Sequence, residues 1–137
     1  SHEIATLARL LPYAGLAKRL TTMHPVDVFN SAVTKFSSLP ALISAETGHL
    51  ITYQQVDVLS NQVANWALLN GMQRGDTVAL FMSNRMEFII TWLGLSKIGI
   101  TTAWINFNIK SKGLIHCIRI SKATTLIYGT ELIDSIN

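Results

Sequence analysis

From Arg74 to Asn108 the chain alternates short apolar runs with polar turns, in the order strand, helix, strand. Thr77 to Met82 is a compact apolar run, the pattern of a strand buried on both faces. Asn84 and Glu87 form a pair suited to capping a helix that continues to about Lys97. Gly94, Gly99 and the β-branched run Ile100-Thr101-Thr102 divide the apolar stretch into that helix and a second strand, Thr101 to Ile105. Ser111 to about Ser121 reads as another helix, and Thr124 to Tyr128 as a third strand. Strands and helices in strict alternation predict right-handed crossovers and a parallel sheet.

Upstream, Val28, Phe29, Ala32, Val33 and Phe36 recur at helical spacing after His24-Pro25, predicting a short helix with one apolar face. Ala41 to Ser44 and His49 to Thr52 flank Glu46-Thr47-Gly48, where Gly48 can take the positive φ of a hairpin loop. Thr52 and Gln55 form a capping box that starts a helix with Val56, Leu59, Val63 and Trp66 along one side. Asn70-Gly71 stops it. The fold class is α/β: a partial parallel sheet with flanking helices, preceded by a helix and a β-hairpin.

Residues 1–25 read as a separate, variable segment. Between positions 4 and 23, Arg9, Lys18 and Arg19 are interspersed among apolar residues, and Pro12 interrupts any continuous helix. The pattern fits a basic amphipathic segment lying on a membrane, which makes residues 1–25 a candidate membrane-proximal stretch. It equally fits a packing helix with solvated cations.

Composition adds one constraint. Charged residues are only 14% and hydrophobic residues 49%, where a soluble domain averages roughly a quarter charged. So little charge suits a piece of a larger body, and Ser1 and Asn137 look like cut ends. A membrane span competes, because the 22 residues from Phe88 to Ile109 carry one charge, Lys97. The glycines and the strand-forming run within them favour a helix and a strand inside an α/β core. The net charge of +3 comes from scattered residues without a Lys/Arg-rich run, so no nucleic-acid partner is expected. A single cysteine, Cys117, excludes an internal disulfide and a Cys-cluster metal site. With no Asn-x-Ser/Thr acceptor present, a cytosol-facing location is favoured.

Candidate chemistry is sparse. Arg74-Gly75-Asp76 has the form of an adhesion tripeptide, but between a helix and a buried strand it reads as a tight turn. There is neither a Gly-Lys-Ser/Thr phosphate loop nor a G-x-G-x-x-G turn after the first strand, which argues against a nicotinamide dehydrogenase. His2, His24, His49 and His116 have no second ligand at metal-binding spacing. His116 and Cys117 are adjacent, so on a helix they diverge instead of pairing for catalysis. Asn106-Phe107-Asn108 follows a strand's C-terminal end and reads as an Asx turn capping the next helix. No catalytic, cofactor-binding or metal-binding residue is assigned.

Several blocks nevertheless carry a family resemblance. These are Tyr53-Gln54-Gln55-Val56-Asp57, the run from Gly71 to Phe88, Trp92-Leu93-Gly94-Leu95-Ser96-Lys97-Ile98-Gly99, the run from Asn106 to Cys117, and Leu126-Ile127-Tyr128-Gly129-Thr130-Glu131-Leu132. Together they resemble the fatty acid transport proteins, or very-long-chain acyl-CoA synthetases, of the adenylate-forming superfamily. The similarity covers about Val26 to Asn137. It implies that residues 26–137 are an incomplete N-terminal portion of the family's large domain. It also implies ligation of a long-chain or very-long-chain fatty acid to CoA through an acyl-adenylate, using ATP, Mg²⁺ and CoA.

The family's phosphate loop, ribose-binding Asp and catalytic Lys are all expected beyond Asn137, so none of these cofactors is expected to bind the 137 residues alone, which should be inactive. Tyr128-Gly129-Thr130-Glu131 imitates the family's Tyr-Gly-x-Thr-Glu motif but corresponds to an earlier strand end, so Glu131 takes no role from it. The resemblance further implies membrane association through segments upstream of Ser1, on the cytosolic face of the endoplasmic reticulum or plasma membrane. Two alternatives stay open: a short non-enzymatic scaffold that binds a partner or lipid, and a ligase for bile acids or shorter acyl chains.

Overall fold

A computed structural model describes residues 23–136. Position 23 aside, the segment 4–23 lies outside them, as does His2.

The chain runs α1 (Pro25–Phe36), β1 (Pro40–Ile43), β2 (Leu50–Thr52), α2 (Tyr53–Leu69), β3 (Thr77–Phe81), α3 (Met86–Lys97), β4 (Thr101–Ile105), α4 (Ser111–Ser121) and β5 (Thr125–Tyr128). A 3₁₀ helix, Thr130–Ser135, follows. β1 and β2 form the expected antiparallel hairpin, with Gly48 at φ 69° in its loop. β3 pairs in parallel with both β4 and β5, giving the order β4-β3-β5.

β3 is central because both of its faces are apolar. Val78 packs with Ala67, Met72, Leu95 and Ile100 beneath α2 and α3. Ala79 and Phe81 face the other way, onto Ile105 and Leu114 under α4. The two crossovers step to opposite sides of β3 and lie on opposite faces of the sheet, as a common right hand requires. A third cluster, Ile51, Val56, Ile90 and Leu93, joins the hairpin to α2 and α3.

Several local expectations change. Thr52 and Gln55 do form a reciprocal capping box. Asn84 does not cap α3; Arg85 holds the N-cap position without a side-chain cap bond. Asn106 accepts from the Asn108 amide at 2.9 Å, so the Asx turn exists, but α4 begins later, with Lys110 as N-cap and no side-chain bond. Gly94 does not interrupt its helix: it is buried inside α3, and the break falls at Gly99, with φ 77°. On α1, Val28 and Phe36 are exposed and Val26 is buried. On α2 the buried stripe is Val56, Ser60, Ala64 and Ala67, leaving Leu59 and Trp66 exposed.

The apolar stretch from Phe88 to Ile109 thus divides between the helix Met86–Lys97 and the strand Thr101–Ile105, with turns after each. Among the described residues, no helix is long and apolar enough to cross a membrane.

Candidate functional site

Open parallel sheets place ligands at the C-terminal ends of their strands. Here that edge carries a polar network built from two distant segments. The β3–α3 turn supplies Ser83 and Arg85, the first turn of α3 supplies Glu87, and the 3₁₀ helix after β5 supplies Glu131. Parallel pairing of β3 with β5 brings the two chain exits together. The Gly129 amide closes the junction by donating to the Phe81 carbonyl at 2.9 Å.

Glu131 is held through both oxygens. Its Oε1 accepts from the Ser83 hydroxyl at 2.7 Å and from the Ser83 amide at 3.2 Å. Its Oε2 accepts from Arg85 Nη1 at 3.2 Å. Arg85 also forks onto Glu87, with Nε to Oε2 at 2.8 Å and Nη2 to Oε1 at 3.0 Å. Such bidentate pairing is the strong form of the contact. Gly129 leaves room for the arrangement, since a Cβ there would collide with the Glu131 carboxylate.

The charges reinforce one another. The Ser83 hydroxyl bond, with Arg85 assisting, holds Glu131 below the ordinary carboxylate range. The Arg85 hydrogen bond does the same to Glu87. The two carboxylates in turn raise the Arg85 guanidinium further above its already high value. All three groups are thus held further in their charged forms. The network is a brace between two loops.

Beside the brace lies an open pocket, walled by Ser44 to Thr47 and His49 of the hairpin on one side and Ser83 to Ile89 on the other. Fit to a magnesium–nucleotide is poor. The turn after β3 offers Ser83-Asn84-Arg85 without a glycine to let backbone amides close around phosphate. Glu87 and Glu131 are already engaged by cationic and hydroxyl donors. Among the described residues, no group of three His, Cys, Asp or Glu side chains could hold a metal.

The other sequence candidates fall elsewhere. Arg74-Gly75-Asp76 is a tight turn in which Gly75 has φ 92° and the Asp76 carboxylate accepts from the Gln73 amide at 2.7 Å. His116 is exposed on α4, and Cys117 packs inward against the Phe81 cluster. Missing from the sequence reading are Ser83 and Arg85 as partners of Glu131, and Glu87 as the second partner of Arg85. The pairing spans 46 to 48 residues, so only the strand order reveals it.

Residues 29–137 match the AMP-binding enzyme family. The chain belongs to that family. Rat long-chain fatty acid transport protein 2 is 44% identical over 137 residues, covering 98% of this chain and 21% of the relative. Human long-chain fatty acid transport protein 1 is 38% identical over 109 residues, covering 80% and 17% respectively. Among solved structures, a Mycobacterium tuberculosis fatty acyl CoA synthetase superposes with a TM-score of 0.73 at 28% identity, over 81% of this chain and 23% of that one. The chain spans about a fifth of the length of the curated relatives it matches.

Proposed function

We propose that this chain serves in fatty acyl-CoA ligation, as the N-terminal portion of the large domain of a long-chain or very-long-chain fatty acid–CoA ligase and transport protein. The overall reaction converts fatty acid, ATP and CoA to acyl-CoA, AMP and pyrophosphate. The observation that carries the reading is the 44% identity to a fatty acid transport protein across 137 residues, joined to a fold shared with a fatty acyl CoA synthetase. Residues 1–137 contribute scaffold: the Ser83–Arg85–Glu131 brace fixes the edge of the sheet, and no catalytic or nucleotide-binding role falls to it. The protein works at a membrane surface facing the cytosol, where its substrate is concentrated.

A replacement chimera tests this. Rat long-chain fatty acid transport protein 2 with its matching segment exchanged for these 137 residues should form oleoyl-CoA from oleate, ATP and CoA. The 137 residues alone should give no oleate-dependent ATP–pyrophosphate exchange. A folded chimera that forms no acyl-CoA would overturn the reading, and exchange by the short chain alone would relocate the active site into it.

The brace has its own signature. Glu87 and Glu131 have pKa values depressed below the ordinary 4.5, so their contribution is present above that value and lost as pH falls through the folded-state values. Urea midpoints taken from about pH 6 down to about pH 3 should therefore fall more steeply for the parent chain than for Glu131→Gln. Parallel curves would show that the brace adds nothing to stability.

A further inference from the structure

Helix α4 turns an outward face to solvent that no described residue covers. Lys112, Ile115, His116 and Arg119 stand at i, i+3, i+4 and i+7, and all four are exposed. Ile115 is 52% exposed and Ile120 67%, the two flanking this stripe at its opposite edges. These isoleucines are not needed for packing, because Leu114, Cys117 and Ile118 already seat the inner face of α4 on the sheet. Lys110 and Lys122, both exposed, extend the basic surface at either end.

Among the described residues, these cations make no ion pair. From Ile98 to Thr130 the sequence contains no Asp or Glu. The ion pairs among the described residues join Arg85 to Glu87 and Glu131, and Lys97 to Asp57, leaving Lys110, Lys112, Arg119 and Lys122 outside them.

We infer that this face of α4 docks on an anionic phospholipid surface. A lipid headgroup layer supplies negative charge, and the acyl boundary just beneath it accepts Ile115 and Ile120. The stems of Lys112 and Arg119 lie along the apolar boundary while their heads stay among the phosphates. Nucleic acid offers the phosphates but no hydrocarbon for the isoleucines. The inference goes beyond ligation and stands or falls without it.

Flotation of the 137-residue chain with vesicles tests it, since aggregated protein does not float. The chain should float with mixed phosphatidylserine–phosphatidylcholine vesicles, weaken as salt is added, and stay down with phosphatidylcholine alone. Lys112→Ala/Arg119→Ala should lower the partition coefficient about 30-fold, each cation near the surface being worth about 1 kcal/mol. Ile115→Ser/Ile120→Ser should lower it about 10-fold or more without altering far-UV circular dichroism, both sites being exposed. Lys35→Glu removes the same two units of charge from the exposed end of α1 and should leave binding essentially unchanged.

Three results would overturn the inference. One is absence of flotation, including the case where the chain binds heparin instead. Another is equal binding to phosphatidylcholine. The third is a loss with Lys35→Glu as large as with the α4 pair. Oleate-dependent catalysis by the chimera is scored separately, so either reading can fail alone.

Discussion

Gly94→Val is expected to lower stability by about 3 kcal/mol or more, and Gly94→Ala by about 1–2 kcal/mol. Gly94 lies where α3 crosses α2, and a Cβ added there would stand 2.6 Å from the Ser60 carbonyl oxygen, 2.7 Å from Val63 Cβ and 2.8 Å from Val63 Cγ1. Two of these obstacles cannot swing aside, so the helices must separate. Separation would loosen the packing of Leu93 and Leu95, which flank Gly94 and belong to two core clusters. Alanine recovers about 1 kcal/mol through its better helix propensity, which is why its net cost is smaller. Val63→Ala removes only the Cγ1 contact, so it should rescue Gly94→Ala in part and not fully. The measurement is the urea midpoint at unchanged slope. A Gly94→Ala chain as stable as the parent would show that the two helices have slack at this crossing.

That crossing also shows why the sequence misleads about α2. Spacing of the large apolar residues selects Leu59, Val63 and Trp66 as the inner stripe. Val56 is buried as its spacing predicts, but a close helix contact selects small residues for the rest of the stripe, and Ser60, Ala64 and Ala67 are buried there. Hydrophobic periodicity follows bulk, whereas a close crossing is read from its small residues, which score weakly on any hydropathy pattern. The exposed Leu59 and Trp66 then line a groove with Ile51, Val63 and Ile90.

The strands were legible for the opposite reason. Val78, Ala79, Leu80 and Phe81 are all fully buried, so an unbroken apolar run at that position has few alternatives. Capping at Thr52 was legible because the chemistry closes within four residues. At Asn84 the same grammar failed: Arg85 pairs with Glu87 and fixes that carboxylate beside the turn. The brace at the sheet edge depends on β5 lying next to β3, a fact of topology that no local spacing encodes. Family membership was legible throughout, because it rests on whole blocks of residues whose individual roles did not have to be known.

Replacing Lys97 by methionine is expected to cost about 2 kcal/mol. In sequence Lys97 is the lone charge in a long apolar stretch. In the structure its ammonium is clamped to α2, donating to Asp57 Oδ1 at 2.7 Å, Ser60 Oγ at 2.7 Å and Asn61 Oδ1 at 2.8 Å, with the Asp57 carbonyl at 3.3 Å. The Phe29 ring of α1 lies 5.5 Å below the charge, so one side chain ties three helices together. The matching signal on α2 was present as Asp57, Ser60 and Asn61 at i, i+3 and i+4, which puts three polar side chains on one stripe. Removing one member of a buried pair costs about 3–5 kcal/mol. Here the Lys97 side chain is 11% exposed but that of Asp57 is 30%, so the stranded carboxylate regains water and the cost falls to the lower figure. Asp57→Asn leaves the better-buried partner without its counter-charge and should cost at least as much as Lys97→Met. A double-mutant cycle between the two should give a coupling of about 1–2 kcal/mol that survives added salt, because a partly buried pair is screened far less than an exposed one. A coupling near zero, or one abolished by salt, would reduce Lys97 to a surface charge and leave helix packing alone to hold α3 against α2.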